Sequence, residues 1–158
     1  MRMKIVCGRL SEALGLSCDD VCLDTPHPYV VIEPKPWRRL KTADSERLVP
    51  LVGEALWAAQ RATDASDTGH LFPSYCDGET TKANSASAVL NKWLKVHTSQ
   101  DVVVHSIRHA MRDRLLAVLC PADIIDQMGG WSRKGVRESY GRGYQVGQLQ
   151  CWVAMAVG

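Results

Sequence analysis

No long apolar run occurs in this chain of 158 residues. Crossing a bilayer as a helix takes about 20 consecutive apolar residues, and nothing here approaches that. A membrane-spanning helix is therefore not expected. A secretory leader is not read either, because Met1-Arg2-Met3-Lys4 leads straight into a short helical pattern. Zinc-site spacing is missing too. Cys18 and Cys22 lie four apart, but no second Cys/His pair follows them. All six cysteines (Cys7, Cys18, Cys22, Cys76, Cys120, Cys151) are scattered, and several sit in apolar patterns. Free, buried thiols in a reducing cytoplasm are expected, with no metal and no cofactor. Nor is there a large charge excess. The net charge of +2 is too small to establish a nucleic-acid partner by itself. No internal repeat is evident.

What is present fits one globular domain. Apolar residues make up 46% and charged residues 23%, enough for a core without staples. Charge is uneven along the chain. Residues 101–158 hold seven basic and five acidic side chains. A second basic cluster, Lys35, Arg38, Arg39, Lys41 and Arg47, falls in a segment that reads as a hairpin. Such patches suit a phosphate backbone, although solvated surface charge is the ordinary reading of any one of them.

Periodicity sets out the elements. Residues 3–16 read as a helix ended near Gly15, and Asp19-Asp20 as a turn or short helix. Tyr29-Val30-Val31-Ile32 is β-branched and aromatic, so it reads as a strand broken by Pro34 and Pro36. Arg38–Lys41 and Arg47–Leu51 flank Thr42-Ala43-Asp44-Ser45, read as the turn of a basic hairpin. Helices are expected over 53–62, with Leu56 and Trp57 inward, and over 82–96 and 105–119. The last has a core stripe of Ile107, Met111, Leu115 and Val118. Residues 63–81 read as a long loop. Ile124, Ile125 and Met128 form the apolar side of a helix that starts near Pro121 and ends at Gly129-Gly130. A short helix over about 133–140 and an apolar segment over 145–157 complete the chain. The expected class is α+β, mostly α-helical, with a small antiparallel β-sheet.

The chemistry-bearing stretch is His105-Ser106-Ile107-Arg108-His109, followed by Gly130-Trp131 and Tyr140. His105 and Arg108 share a helix face, read as offset from the apolar stripe. An arginine fork grips phosphate through paired hydrogen bonds. A downstream tyrosine offers a nucleophilic hydroxyl. Alone, the His-x-x-Arg pair is weak, since a surface charge pair gives the same pattern.

The wider series resembles the catalytic domain of the tyrosine recombinase (phage integrase) family. Gly8-Arg9-Leu10-Ser11-Glu12 is close to the family's early arginine motif. Lys41-Thr42 then precedes Arg47-Leu48-Val49-Pro50-Leu51, as in a lysine-bearing hairpin before Arg-x-Val-Pro-Leu. His105–His109 matches His-x-x-Arg-His, and Tyr140 follows Trp131 by nine residues. The five blocks come in the family's order over nearly the whole chain.

That resemblance implies roles. Arg9 and Arg108 would clamp the nonbridging oxygens of a scissile phosphate, while His105 and Trp131 donate further hydrogen bonds. His105 would also help accept the phenol proton. Lys41 would protonate the departing 5′ oxygen. Tyr140 would attack phosphorus and hold a 3′-phosphotyrosyl link. Rival readings stand beside these. Arg9 could pair with Glu12 on its own helix, a tie of about 0.2–0.5 kcal/mol. Lys35 lies near Lys41, Trp131 could be core, and Tyr144 competes with Tyr140. His109 is expected behind the site, orienting it.

The resemblance implies site-specific DNA recombination, with duplex DNA as partner and other copies of the chain assembled on it. The apolar C-terminal segment would pack either at home or on a neighbouring protomer. Residues 1–158 are expected to form a single catalytic domain without the family's N-terminal DNA-clamping domain, acting in the cytoplasm of a bacterial or phage-infected cell. A non-catalytic DNA-binding remnant and a type IB topoisomerase-like relaxing activity are the alternatives.

Overall fold

The computed structural model describes residues 8–41, 45–98, 102–131 and 143–158. Alternating burial fixes the sheet. In β2 (Tyr29–Ile32) Val30 and Ile32 are buried, while Tyr29 and Val31 are only half-buried. Strand β2 pairs antiparallel with β3 (Arg47–Pro50), Tyr29 opposite Pro50 and Ile32 opposite Arg47. Its other edge pairs with the two-residue β1 (Val21–Cys22). The order β1-β2-β3 leaves β3 at an edge, where Pro50 costs no ladder bond.

The expected hairpin between Arg38–Lys41 and Arg47–Leu51 is thus corrected. The partner of β3 is Tyr29–Ile32, and residues 38–41 form no strand. Lys35 and Arg38 exchange backbone hydrogen bonds of 3.0 and 3.1 Å across a tight turn that contains Pro36. That turn sends Arg38 inward. Its guanidinium reaches Asp20 Oδ2 at 2.8 Å and Gly15 O at 3.0 Å. Of the five cations expected on a basic face, Arg38 and Arg47 are buried, and Lys35 is half-buried. Residues 42–44 of the expected turn lie outside the described residues.

The first helix, α1 (Leu10–Leu14), is shorter than expected. Arg9 is extended at its N-cap, and the Glu12 carboxylate accepts the Arg9 amide at 2.8 Å. Residues 1–7 lie outside the described residues. Gly15 ends the helix by donating to Ser11 O. A 3-10 turn follows over Cys18–Asp20.

Helix α2 (Gly53–Asp64) lays Ala59 and Leu56 against the sheet. Trp57 is 54% exposed, contrary to the inward expectation. Adjacent helical positions point about 100° apart, so Leu56 and Trp57 cannot share the core face. The Trp57 ring instead carries the Arg61 guanidinium at 5.3 Å. Helices α3 (Ala83–His97), α4 (Val104–Ala117) and α5 (Ala122–Gly129) lie where helices are expected, and the apolar C-terminal segment forms a helix, α6 (Val146–Val157). Gly130 closes α5 in the left-handed conformation, φ +59°. The expected helix over 133–140, with Tyr140 in it, lies outside the described residues.

Two apolar clusters result. One joins Val30, Ile32, Val49 and Leu51 of the sheet region to Ala59 and Leu71. The other joins Met111 and Leu115 of α4, Ile124, Ile125 and Met128 of α5, and Leu149 and Val153 of α6. The C-terminal segment therefore packs on its own chain. Strand β3 touches both α5 and α6, so it lies between the clusters.

Candidate active site

Arg108 sits on the same stripe of α4 as Met111 and Leu115, not beside it. The offset face expected for it is corrected. It is 6% exposed, and a buried cation needs compensation. Its Nη2 donates to Gly129 O at the C-terminal end of α5. That end carries the negative pole of the helix dipole. The Trp131 ring lies 4.3 Å from the guanidinium carbon, a cation–π contact. Arg112, one turn further along α4, also approaches Trp131, at 5.0 Å. Trp131 is thus half-buried against the helical core and in contact with Arg108 and Arg112.

Glycines make this approach possible. A Cβ at Gly129 would stand 1.8 Å from Trp131 Cε3 and Cζ3. One at Gly130 would stand 2.7 Å from Arg47 Nη1, on a left-handed backbone.

Arg9 makes the expected pair with Glu12 and also lines a cleft between α1, α3 and α4. Its Nη1 bonds Glu12 Oε1 at 2.7 Å and Ser45 Oγ at 3.2 Å. Its Nε and Nη2 have no hydrogen-bond partner among the described residues. Glu12 is 1% exposed and spends its other oxygen on Arg47 Nη2, at 2.7 Å. Burial alone would raise the Glu12 carboxyl. Arg47, by hydrogen bond and charge, and Arg9 outweigh it and hold the carboxyl below its usual range. Arg47 also donates from Nη1 to Ser45 O at 2.6 Å and from Nε to Met128 O at 2.8 Å.

Arg9, His105 and Arg108 line one cleft of about 320 Å³ between α1, α3 and α4. Asn84 and Ser87 of α3 and Ser11 of α1 add small polar groups to its wall. His105 is exposed, and the His109 ring meets it edge-on, with centroids 4.8 Å apart. His109 is itself exposed, flanking the site instead of lying behind it. Lys41 is exposed at a bend and does not line the cleft. Tyr140 lies outside the described residues. Tyr144 is tied to α5. Its hydroxyl donates to Asp123, its amide donates to Gln127 Oε1, and its carbonyl accepts from Gln127 Nε2.

Glu12 and Arg47 went unassigned in the sequence, although both stand in the quoted motifs. Strand parity was the available signal: Arg47 shares the inward parity of Val49. Among the described cysteines, all free, Cys76 and Cys120 are buried as expected, but Cys151 is exposed. Burial first, then the Asp123 charge, pushes the Cys120 thiol up to about 11. No helix among the described residues is long and apolar enough to cross a membrane.

No curated protein and no solved structure matches the chain. The model of the phage integrase family matches residues 4–144, a span that holds every residue of the cleft. The chain belongs to the phage integrase family.

Proposed function

We propose that the chain is a tyrosine-type site-specific DNA recombinase that cuts and rejoins duplex DNA through Tyr140. The supporting observation is that Arg9, His105 and Arg108, spread over about a hundred positions of sequence, line one cleft. Arg9 keeps donors in hand for an anion, and Trp131 backs Arg108. Positive charge held ready in this way stabilises the extra negative charge of a pentacoordinate phosphorane.

In the proposed reaction the Tyr140 phenol oxygen bonds to phosphorus and His105 accepts its proton. The bond from phosphorus to the 5′ oxygen breaks, and Lys41 supplies the proton to that oxygen. The product is a 3′-phosphotyrosyl ester and a free 5′ hydroxyl. Attack by a 5′ hydroxyl of the incoming strand reverses these transfers. One ester replaces another, so no nucleotide is consumed. Tyr144 is the weaker candidate because Asp123 and Gln127 engage its hydroxyl and backbone. Duplex DNA is the partner, with further copies of the chain on the same DNA, in the cytoplasm where that DNA lies.

The test is a duplex nicked beside the scissile phosphate, which traps the covalent intermediate. Wild type should give a covalent protein–DNA band that disappears in Tyr140→Phe. No band under any condition would leave a DNA-binding remnant as the reading.

A further inference from the structure

Arg47 has no step in that chemistry, yet it touches both halves of the cleft's support. Its donors leave in three directions. Nη2 goes to Glu12 of α1, Nη1 to the Ser45 carbonyl, and Nε to the Met128 carbonyl at the end of α5. Glu12 passes the constraint on, holding Arg9 by its side chain and its amide. The end of α5 passes it on the other way. Gly129 O receives Arg108, and the Gly130 turn leads into Trp131 beneath that guanidinium. The fit is close, since Arg47 is buried and its Nη1 lies flush on Gly130.

We propose that Arg47 is a positioning residue: it sets the separation of Arg9 from Arg108 and Trp131, and so the width of the phosphate cradle. This rests on the reading of those residues as phosphate ligands. Two guanidiniums, Arg9 and Arg47, share the single Glu12 carboxylate. A net positive charge therefore stays on that wall of the cleft, and Arg47 keeps it aimed. Lysine would keep the charge but not the rigid three-way fork.

The experiment compares wild type with Arg47→Lys. At saturating nicked duplex, the single-turnover rate of covalent-complex formation should fall ten-fold or more. DNA affinity should change by less than three-fold, and a cooperative melt should persist. A folded Arg47→Lys with the wild-type rate would overturn the proposal. Should Arg47→Lys fail to fold, Glu12→Gln combined with Arg47→Met removes both buried charges and keeps the volumes. That pair should fold and still cleave slowly; a wild-type rate in it would overturn the proposal equally. If wild type itself forms no adduct, the recombinase reading fails while this one is still decided. Nitrogen-15 NMR of the arginine side chains, assigned with Arg9→Lys, should show restricted rotation of the Arg9 guanidinium. That restriction should vanish in folded Arg47→Lys, and its survival there would refute the positioning role.

Discussion

Two buried arginine–carboxylate pairs flank α1, and they end in different places. Arg38 pairs with Asp20, and Arg47 pairs with Glu12; none of the four is more than 8% exposed. Each arginine also donates to backbone carbonyls, Arg38 to Gly15 and Glu33, Arg47 to Ser45 and Met128. The third cation separates them. Asp20 has Lys35 at 3.6 Å, and Lys35 turns to the exposed side chain of Glu33 at 2.6 Å. Glu12 has Arg9, which lines the cleft. Similar pairs thus serve two ends. The Arg38 network closes on the surface, while the Arg47 network opens onto the candidate site. A buried ion pair by itself says little about function; what it hands its remaining oxygen to says more.

The largest effect should come from removing a carboxylate. Glu12→Ala and Asp20→Ala each strand a buried guanidinium, so each should lose about 3–5 kcal/mol in urea unfolding. Only Glu12→Ala should also slow covalent-complex formation per folded molecule. Equal slowing in both variants would erase the distinction between the two networks.

A smaller contrast lies at two glycines. Gly129→Ala drives a methyl into the Trp131 ring at 1.8 Å, and such overpacking costs about 1–3 kcal/mol. Gly15→Ala meets only the Arg38 side chain at 3.1 Å, with an ordinary backbone φ of −86°. Its cost should be under about 1 kcal/mol, because alanine also restrains the unfolded chain. Paired thermal melts would rank them.

Acid should act least selectively. For both carboxyls burial raises the titration point, but the arginine partners outweigh it, so each lies below its ordinary value, 4.5 for Glu12 and 3.8 for Asp20. A depressed folded value stabilises the fold above the unfolded value. That contribution fades as pH falls through the folded value. The urea midpoint should therefore be insensitive to these groups near neutrality and decline below about pH 4. Glu12→Gln and Asp20→Asn should each flatten that decline.

Much of this architecture could be read from periodicity. Helical patterning locates α2 through α5 and a β-branched run locates β2, while β3 is read from its place beside a turn and α6 only as an apolar segment. Pairing partners were less legible. Arg38 through Lys41 looked like a solvated strand because nothing nearby in sequence advertises Asp20 and Gly15 O as receivers for Arg38. A charge goes inside only when distant groups meet it, and periodicity carries no trace of that. The burial of Arg108 is illegible for the same reason, since its counter-pole is the end of another helix. Within the candidate site, the motif spacing brought Arg9, His105 and Arg108 to one cleft, with Trp131 behind. Glu12 and Arg47 were hidden in plain motifs because a support works through a neighbour, not through its own reactivity.

Strand β3 lies against helices of one apolar cluster while lending Val49 to the other, and its first residue braces the cleft. Warming the chain should therefore leave no intermediate stage that is loosened yet competent. The melting of either cluster would slacken Arg47, so capability and shape should disappear at one temperature.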